Sequence, residues 1–190
     1  MVVARKSVKL IVAGGFGTGK TTFVGSVSEI SPLTTEENIT EASVGVDDIR
    51  GIEGKRSTTV ALDFGRITIT DDIVLYLFGT PGQDRFWFMW DELSQGAIGA
   101  VVLVDTRRLD ASFPAIDYFE QRQIPFVAAV NKFYGECPYD EDEIRNALKL
   151  RQDAPLMWCD ARDRDSSAVT LIRLVEHAMA QLPVETWSTV

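Results

Sequence analysis

Gly14-Gly15-Phe16-Gly17-Thr18-Gly19-Lys20-Thr21 is the stretch that decides the fold. It fits G-x-x-x-x-G-K-[ST], a loop built to hold phosphate. Ser7-Val8-Lys9-Leu10-Ile11-Val12-Ala13 precedes it and reads as a buried strand. Thr21-Thr22-Phe23-Val24-Gly25-Ser26-Val27 follows and continues as a helix. Strand, glycine loop, helix is the order that the motif needs. Glycines let the backbone take positive φ and approach a ligand closely. The turned backbone then aims its N–H groups at an anion in front of the helix. Lys20 supplies an ammonium for the β- and γ-phosphates, and Thr21 a hydroxyl for Mg²⁺. A glycine-rich turn that binds nothing is the bland alternative, and the full match in its strand–helix context argues against it.

The 190 residues suit a single α/β domain spanning 1–190. No apolar run reaches membrane-spanning length, and the start Met-Val-Val-Ala-Arg-Lys lacks signal-peptide architecture. The end lacks a prenylation Cys. The expectation is a cytoplasmic protein with no direct membrane insertion, reaching membranes only through partners. A net charge of −9 argues against nucleic acid and anionic lipid as partners, so a phosphate site must build its own positive field. Cys137 and Cys159 lack metal-ligand spacing, and His177 reads as a structural residue of a C-terminal helix.

Thr34 to Lys55 is polar and without periodicity, and it reads as a long loop or a disordered insertion. Thr58–Ile69 and Ile73–Phe78, split by Asp71-Asp72, read as an antiparallel hairpin. Gly79-Thr80-Pro81-Gly82-Gln83 follows, then the aromatic run Phe86-Trp87-Phe88-Met89-Trp90, either core helix or exposed protein-binding surface. Further strands are expected at Ala100–Val104, Pro125–Val130 and Pro155–Cys159. Helices are expected at Ser112–Arg122, Asp140–Leu150 and from a Ser166 or Ser167 cap to about Gln181. The result is a mostly parallel six-stranded sheet with one antiparallel strand and helices on both faces. Four loops, beginning at Gly14, Gly79, Asn131 and Asp160, all follow strand C-termini. Such sheets bind ligands at that edge.

On these residues the chain resembles the Ras-like small GTPases over nearly its whole length. It is most similar to the conservon-type GTPases of actinobacteria, with the Mgl-type polarity GTPases as cousins. Phe23–Glu29, Leu77–Phe86 and Val104–Arg108 carry the closer match. The resemblance implies a small-GTPase-like P-loop NTPase that binds GTP/GDP with Mg²⁺ and hydrolyses GTP slowly. It implies nucleotide contacts from Gly14, Gly15, Phe16, Gly17, Thr18, Gly19, Lys20, Thr21, Thr22, Gly82, Asn131, Lys132, Asp160, Ala161 and Arg162. Gln83 would orient the attacking water beside Lys20. Thr21 and either Thr58 or Thr59 would reach the metal. Ala161 would offer its N–H to guanine O6. A roadblock/LC7-type regulator and a sensor-kinase-like membrane complex are the implied partners.

Three positions depart from the pattern. Gly79 stands where D-x-x-G has its aspartate, and Asp47, Asp48, Asp63 or Asp105 are candidates to compensate. Tyr134 stands where N-K-x-D has its base-reading carboxylate, and Asp160 is the candidate substitute. Phe16 replaces a small residue and crowds the phosphate mouth against a partner's arginine, which leaves Arg56, Arg85 and Arg107 as arginines of the chain itself. A switch GTPase is therefore expected. A degenerate P-loop assembly module and an ATP-using P-loop protein are the alternatives.

Overall fold

The computed structural model describes residues 6–31, 33–40, 57–82, 84–133, 135 and 137–181. The elements are β1 (Lys6–Ala13), α1 (Lys20–Val27), β2 (Leu33–Thr40), β3 (Ser57–Thr70) and β4 (Ile73–Gly79), followed by α2 (Trp90–Ser94) and β5 (Ala97–Val104). Then come α3 (Phe113–Gln121), β6 (Phe126–Asn131), α4 (Glu141–Leu148), β7 (Leu156–Cys159) and α5 (Arg164–Gln181). Short 3-10 turns at Asp84–Met89 and Leu109–Ser112 lead into α2 and α3.

The strands form one sheet in the order β2-β3-β4-β1-β5-β6-β7. β3 alone runs against its neighbours, and all other contiguous pairs are parallel. The six strands expected from sequence are all present. A seventh, β2, extends the edge from within the segment read as a loop, pairing Leu33–Thr40 with Ser57–Phe64. An edge strand held by backbone bonds needs no apolar alternation, which is why the polar sequence hid it.

β1 is central because both of its faces are apolar. Leu10, Ile11, Val12 and Ala13 have no exposed surface. Alternation sends Ile11 and Ala13 to one face, where they meet Trp90, Phe119, Ile144 and Leu148 from α2, α3 and α4. Leu10 and Val12 face the other way, onto Phe23 and Val24 of α1 and Leu171 and Leu174 of α5. The layers thus follow from the strand period. The register then aligns strand ends, with Val12 opposite Gly79, Ala13 opposite Val102 and Asn131 opposite Cys159.

Helix ends are set by local chemistry. Asp140 and Glu143 form a reciprocal capping box on α4. α5 starts at Arg164, earlier than the serine caps expected, because the Asp163 carboxylate accepts the Ser166 N–H at 2.7 Å. Ser166 uses its hydroxyl to accept the Asp160 N–H instead, at 2.9 Å. Among the described residues no helix is long and apolar enough to cross a membrane.

Leu174 fills the place where α5 crosses β5: a Cβ added at Gly99 would lie 2.8 Å from its Cδ1. Leu174→Ala empties a fully buried site and is expected to cost about 2–5 kcal/mol. Urea unfolding of the two proteins with matched m-values measures that loss.

Candidate functional site

The glycine loop leaves β1 and enters α1 through Gly19, at φ +100°. A Cβ there would lie 2.6 Å from Asn131 Nδ2. Glycine is therefore required twice over, by conformation and by space. No side chain caps α1, so its first-turn N–H groups stay available to an anion. Lys20 is 8% exposed and folds back to donate to Gly14 O at 2.9 Å and Gly15 O at 2.7 Å. Burial pulls its pKa down to about 8, against the opposing field of Asp63. Gly82 lies close by, since a Cβ on it would sit 2.6 Å from Lys20 Nζ.

The absent aspartate at position 79 has a replacement in space. Asp63 of β3 pairs with Gly79 of β4, and a Cβ at Gly79 would lie 2.9 Å from the Asp63 Cβ. Asp63 fills the volume that an aspartate at 79 would need. Its Oδ2 accepts the Thr21 hydroxyl at 2.8 Å. Its Oδ1 is buried with no hydrogen-bond partner, as is the hydroxyl of Thr80. Both residues line the same cleft as Lys20 and Thr21. A buried carboxylate with one idle oxygen beside a threonine hydroxyl suits a hard cation. Among the described residues no three metal-binding side chains gather, so an ion here would complete its shell from phosphate and water. Of the other acids considered, Asp105 is held by Arg107 through two bonds of 2.8 Å, while Asp47 and Asp48 lie outside the described residues.

At the far end of the cleft Asn131 is the tie. Its Nδ2 donates to Thr18 O at 2.9 Å, and its Oδ1 accepts the Ala161 N–H at 3.1 Å. The amide expected to serve guanine O6 is thus already partnered. Asp160 is bound by Arg162 at 2.9 and 2.8 Å, and those bonds hold its carboxyl below the usual range. It is not an idle acceptor for a base. Lys132 lies over the Trp158 ring, and Arg107 stacks on Phe133 at 4.1 Å. Thr58 and Thr59 lie within β3, opposite Ile39 and Asn38. They stand roughly 13–17 Å up an extended strand from Asp63. Gln83 and Tyr134 lie outside the described residues.

Phe16, Gly17, Gly19, Lys20, Thr21, Thr22, Asp63, Thr80, Gly82, Asn131, Phe133, Ala161 and Arg162 enclose a cleft of about 470 Å³, within the usual range for a small-molecule site. The model of a family described as conserved hypothetical ATP binding protein matches residues 12–181, from the end of β1 to the end of α5. The chain belongs to that family. An uncharacterized protein, MJ1339 of Methanocaldococcus jannaschii, is 32% identical over 130 residues, which is 67% of this chain and 71% of that protein. The Arl6 BBS3 small GTPase of Trypanosoma brucei, solved with the nucleotide analogue GppNp, superposes with a TM-score of 0.63 at 15% identity, over 93% of this chain and 100% of that one. This ATP-binding-family member is therefore a P-loop nucleotide-binding protein with a small-GTPase-like fold. Thr80 and Phe133 were not among the site residues expected from sequence, because they occupy the unspecified positions of D-x-x-G and N-K-x-D, and the fold is what carries them into the cleft.

Lys20 and Asp63 generate two predictions. Burial lowers the Lys20 pKa to about 8, and polyphosphate beside the ammonium would raise it again. Nucleotide binding is expected to take up close to one proton at about pH 9, fewer at about pH 7, with affinity falling as pH rises past about 8. Titration calorimetry in buffers of different ionisation enthalpy reads the uptake directly. D63A is expected to raise the Mg²⁺ concentration needed for tight nucleotide binding about 10- to 100-fold. The exchange D63G/G79D returns the carboxylate to the same volume and should recover most of that loss.

Proposed function

We propose that this protein is a nucleotide-dependent switch that binds GTP and GDP with Mg²⁺ and slowly hydrolyses GTP. The observation that carries the reading is the Asp63 carboxylate, set against the Thr21 hydroxyl in the place of the missing aspartate. It supports a working metal-dependent site in a loop whose motif is otherwise altered. Thr21 and Asp63 would hold Mg²⁺, which when bound supplies charge neutralisation to the β- and γ-phosphates. Lys20 leaves the Gly14 and Gly15 carbonyls for the phosphates. Gly82, packed against Lys20, couples the presence of a γ-phosphate to the Gly79–Trp90 segment. Gln83 is the candidate for orienting the attacking water.

The exposed rings of Trp87 and Phe88, with Trp90 buried beneath them, suit a surface read by a partner. A roadblock/LC7-type regulator, within a complex containing a sensor-kinase-like membrane protein, is the partner this reading favours. The conservon-type GTPases are the relatives it resembles.

Base choice is where a second reading has its own support. The family description names ATP, and no carboxylate among the described residues stands idle at the Asn131 end. Arg162 would favour guanine nonetheless, on exchanging its two bonds to Asp160 for the base. A guanidinium only donates, and it lines the cleft beside Asn131. Guanine presents two acceptors, O6 and N7, on one edge, whereas adenine places an amino group there. Competition of GTP and ATP against a fluorescent GDP is the deciding experiment. GTP is expected to win by at least about tenfold in wild type, with the margin shrinking in R162A as about 1–3 kcal/mol of discrimination is lost. Preference for ATP would replace this reading with the second.

A further inference from the structure

The loop after β5 brings a second cation to the glycine loop. Arg108 donates from Nη2 to the Phe16 carbonyl at 2.7 Å. The same nitrogen would lie 3.3 Å from a Cβ on Gly17. Arg107, one of the three candidate arginines named from the sequence, turns away. It clamps Asp105 and stacks on Phe133. Arg56 lies outside the described residues.

Three features suit Arg108 to a role beyond bracing a carbonyl. Its side chain is 51% exposed, so its one short bond to a neutral acceptor is easily exchanged. Asp105 lies 3.8 Å away and is already bound twice by Arg107, so it neutralises Arg108 weakly. Arg108 also lines a second cleft of about 370 Å³ that shares Phe16 and Gly82 with the main one. That cleft is also lined by Gly14 and Gly15, whose carbonyls accept from Lys20. Phe16, 66% exposed, stands in the way of an arginine arriving from outside. Arg108 already bonds the main chain of Phe16 and meets no such obstacle.

We propose that Arg108 is the arginine this chain supplies to its own transition state, leaving the Phe16 carbonyl to lay its guanidinium on the γ-phosphoryl oxygens. The inference rests on the hydrolytic reading above. In that reaction the water oxygen bonds to the γ-phosphorus, and the bond from γ-phosphorus to the β–γ bridging oxygen breaks. The electron pair stays on the diphosphate, and the water proton passes to the phosphate released. Charge builds on the bridging and γ-oxygens as that bond lengthens. A planar fork of donors stabilises it there and gains little in the ground state.

The test compares wild type, R108A and R108K in single-turnover hydrolysis of GTP and of ATP, with diphosphate affinity and trapping of the diphosphate–aluminium fluoride complex measured alongside. R108A is expected to lose about 100-fold or more in rate while binding diphosphate within about twofold of wild type, and to lose the fluoride complex. R108K is expected to recover little, because an ammonium lacks the fork. Hydrolysis by R108A at the wild-type rate overturns the proposal. So does a loss of rate matched by loss of diphosphate affinity, which marks a brace for the loop. Wild type that binds both triphosphates and hydrolyses neither defeats the hydrolytic reading itself, and this inference with it.

Discussion

The hydrogen bond from the Thr21 hydroxyl to the Asp63 carboxylate, with the other carboxylate oxygen idle, is the constraint on which the site turns. A buried charge lacking part of its hydrogen bonding costs several kcal/mol. Lys20 is close enough for their fields to couple, yet its ammonium is spent on two carbonyls of its own loop. Both charges are therefore held short of their best partners. A nucleotide with a divalent cation would resolve both at once, the phosphates taking Lys20 and the cation taking the carboxylate. These are the groups that such a ligand would satisfy, which would couple binding energy to local order.

The same logic explains how so acidic a chain accommodates a polyanion. At net charge −9 the long-range field opposes a nucleotide. Attraction has to be local, from backbone N–H groups at the head of α1 and from Lys20, Arg108 and Arg162. Each cation is tethered by the fold: Lys20 by carbonyls, Arg108 by Phe16 O, and Arg162 by Asp160. Tethering reduces the side-chain entropy lost on binding.

Much of this was legible in the sequence wherever the requirement falls on backbone or on strand period. The glycine loop, the buried β1, β5 and β6, and Asn131 at a strand end each carry a pattern that has one reading. Three features had no such pattern. β2 is a polar edge whose pairing is made by backbone groups, so Leu33–Thr40 looks like any loop. Asp63 was one of four acids that qualified by type, and only the pairing of Asp63 with Gly79 separates it from the rest. Arg107 and Arg108 are adjacent and chemically equal in the sequence. Their opposite directions come from the turn after β5, where Asp105 captures the first and leaves the second facing the glycine loop.

The two ends of the cleft differ in how they are built, and the difference bears on what the family does. The phosphate end is made of main chain, a buried lysine and a buried aspartate, each packed against the sheet. Altering any of them disturbs β1, β3 or β4. Even the missing aspartate at 79 is answered by a carboxylate in the same volume. The base end consists of side chains on loops: Phe133 and Arg162 beside the one buried tie, Asn131. Phe133 and Arg162 can be substituted without reaching the core, so base preference would be the easier of the two properties to alter. A family described by ATP and a fold shared with a small GTPase are compatible on those terms. On the proposed reading the sheet and glycine loop would hold the phosphates, and a few rim residues would set which base comes with them.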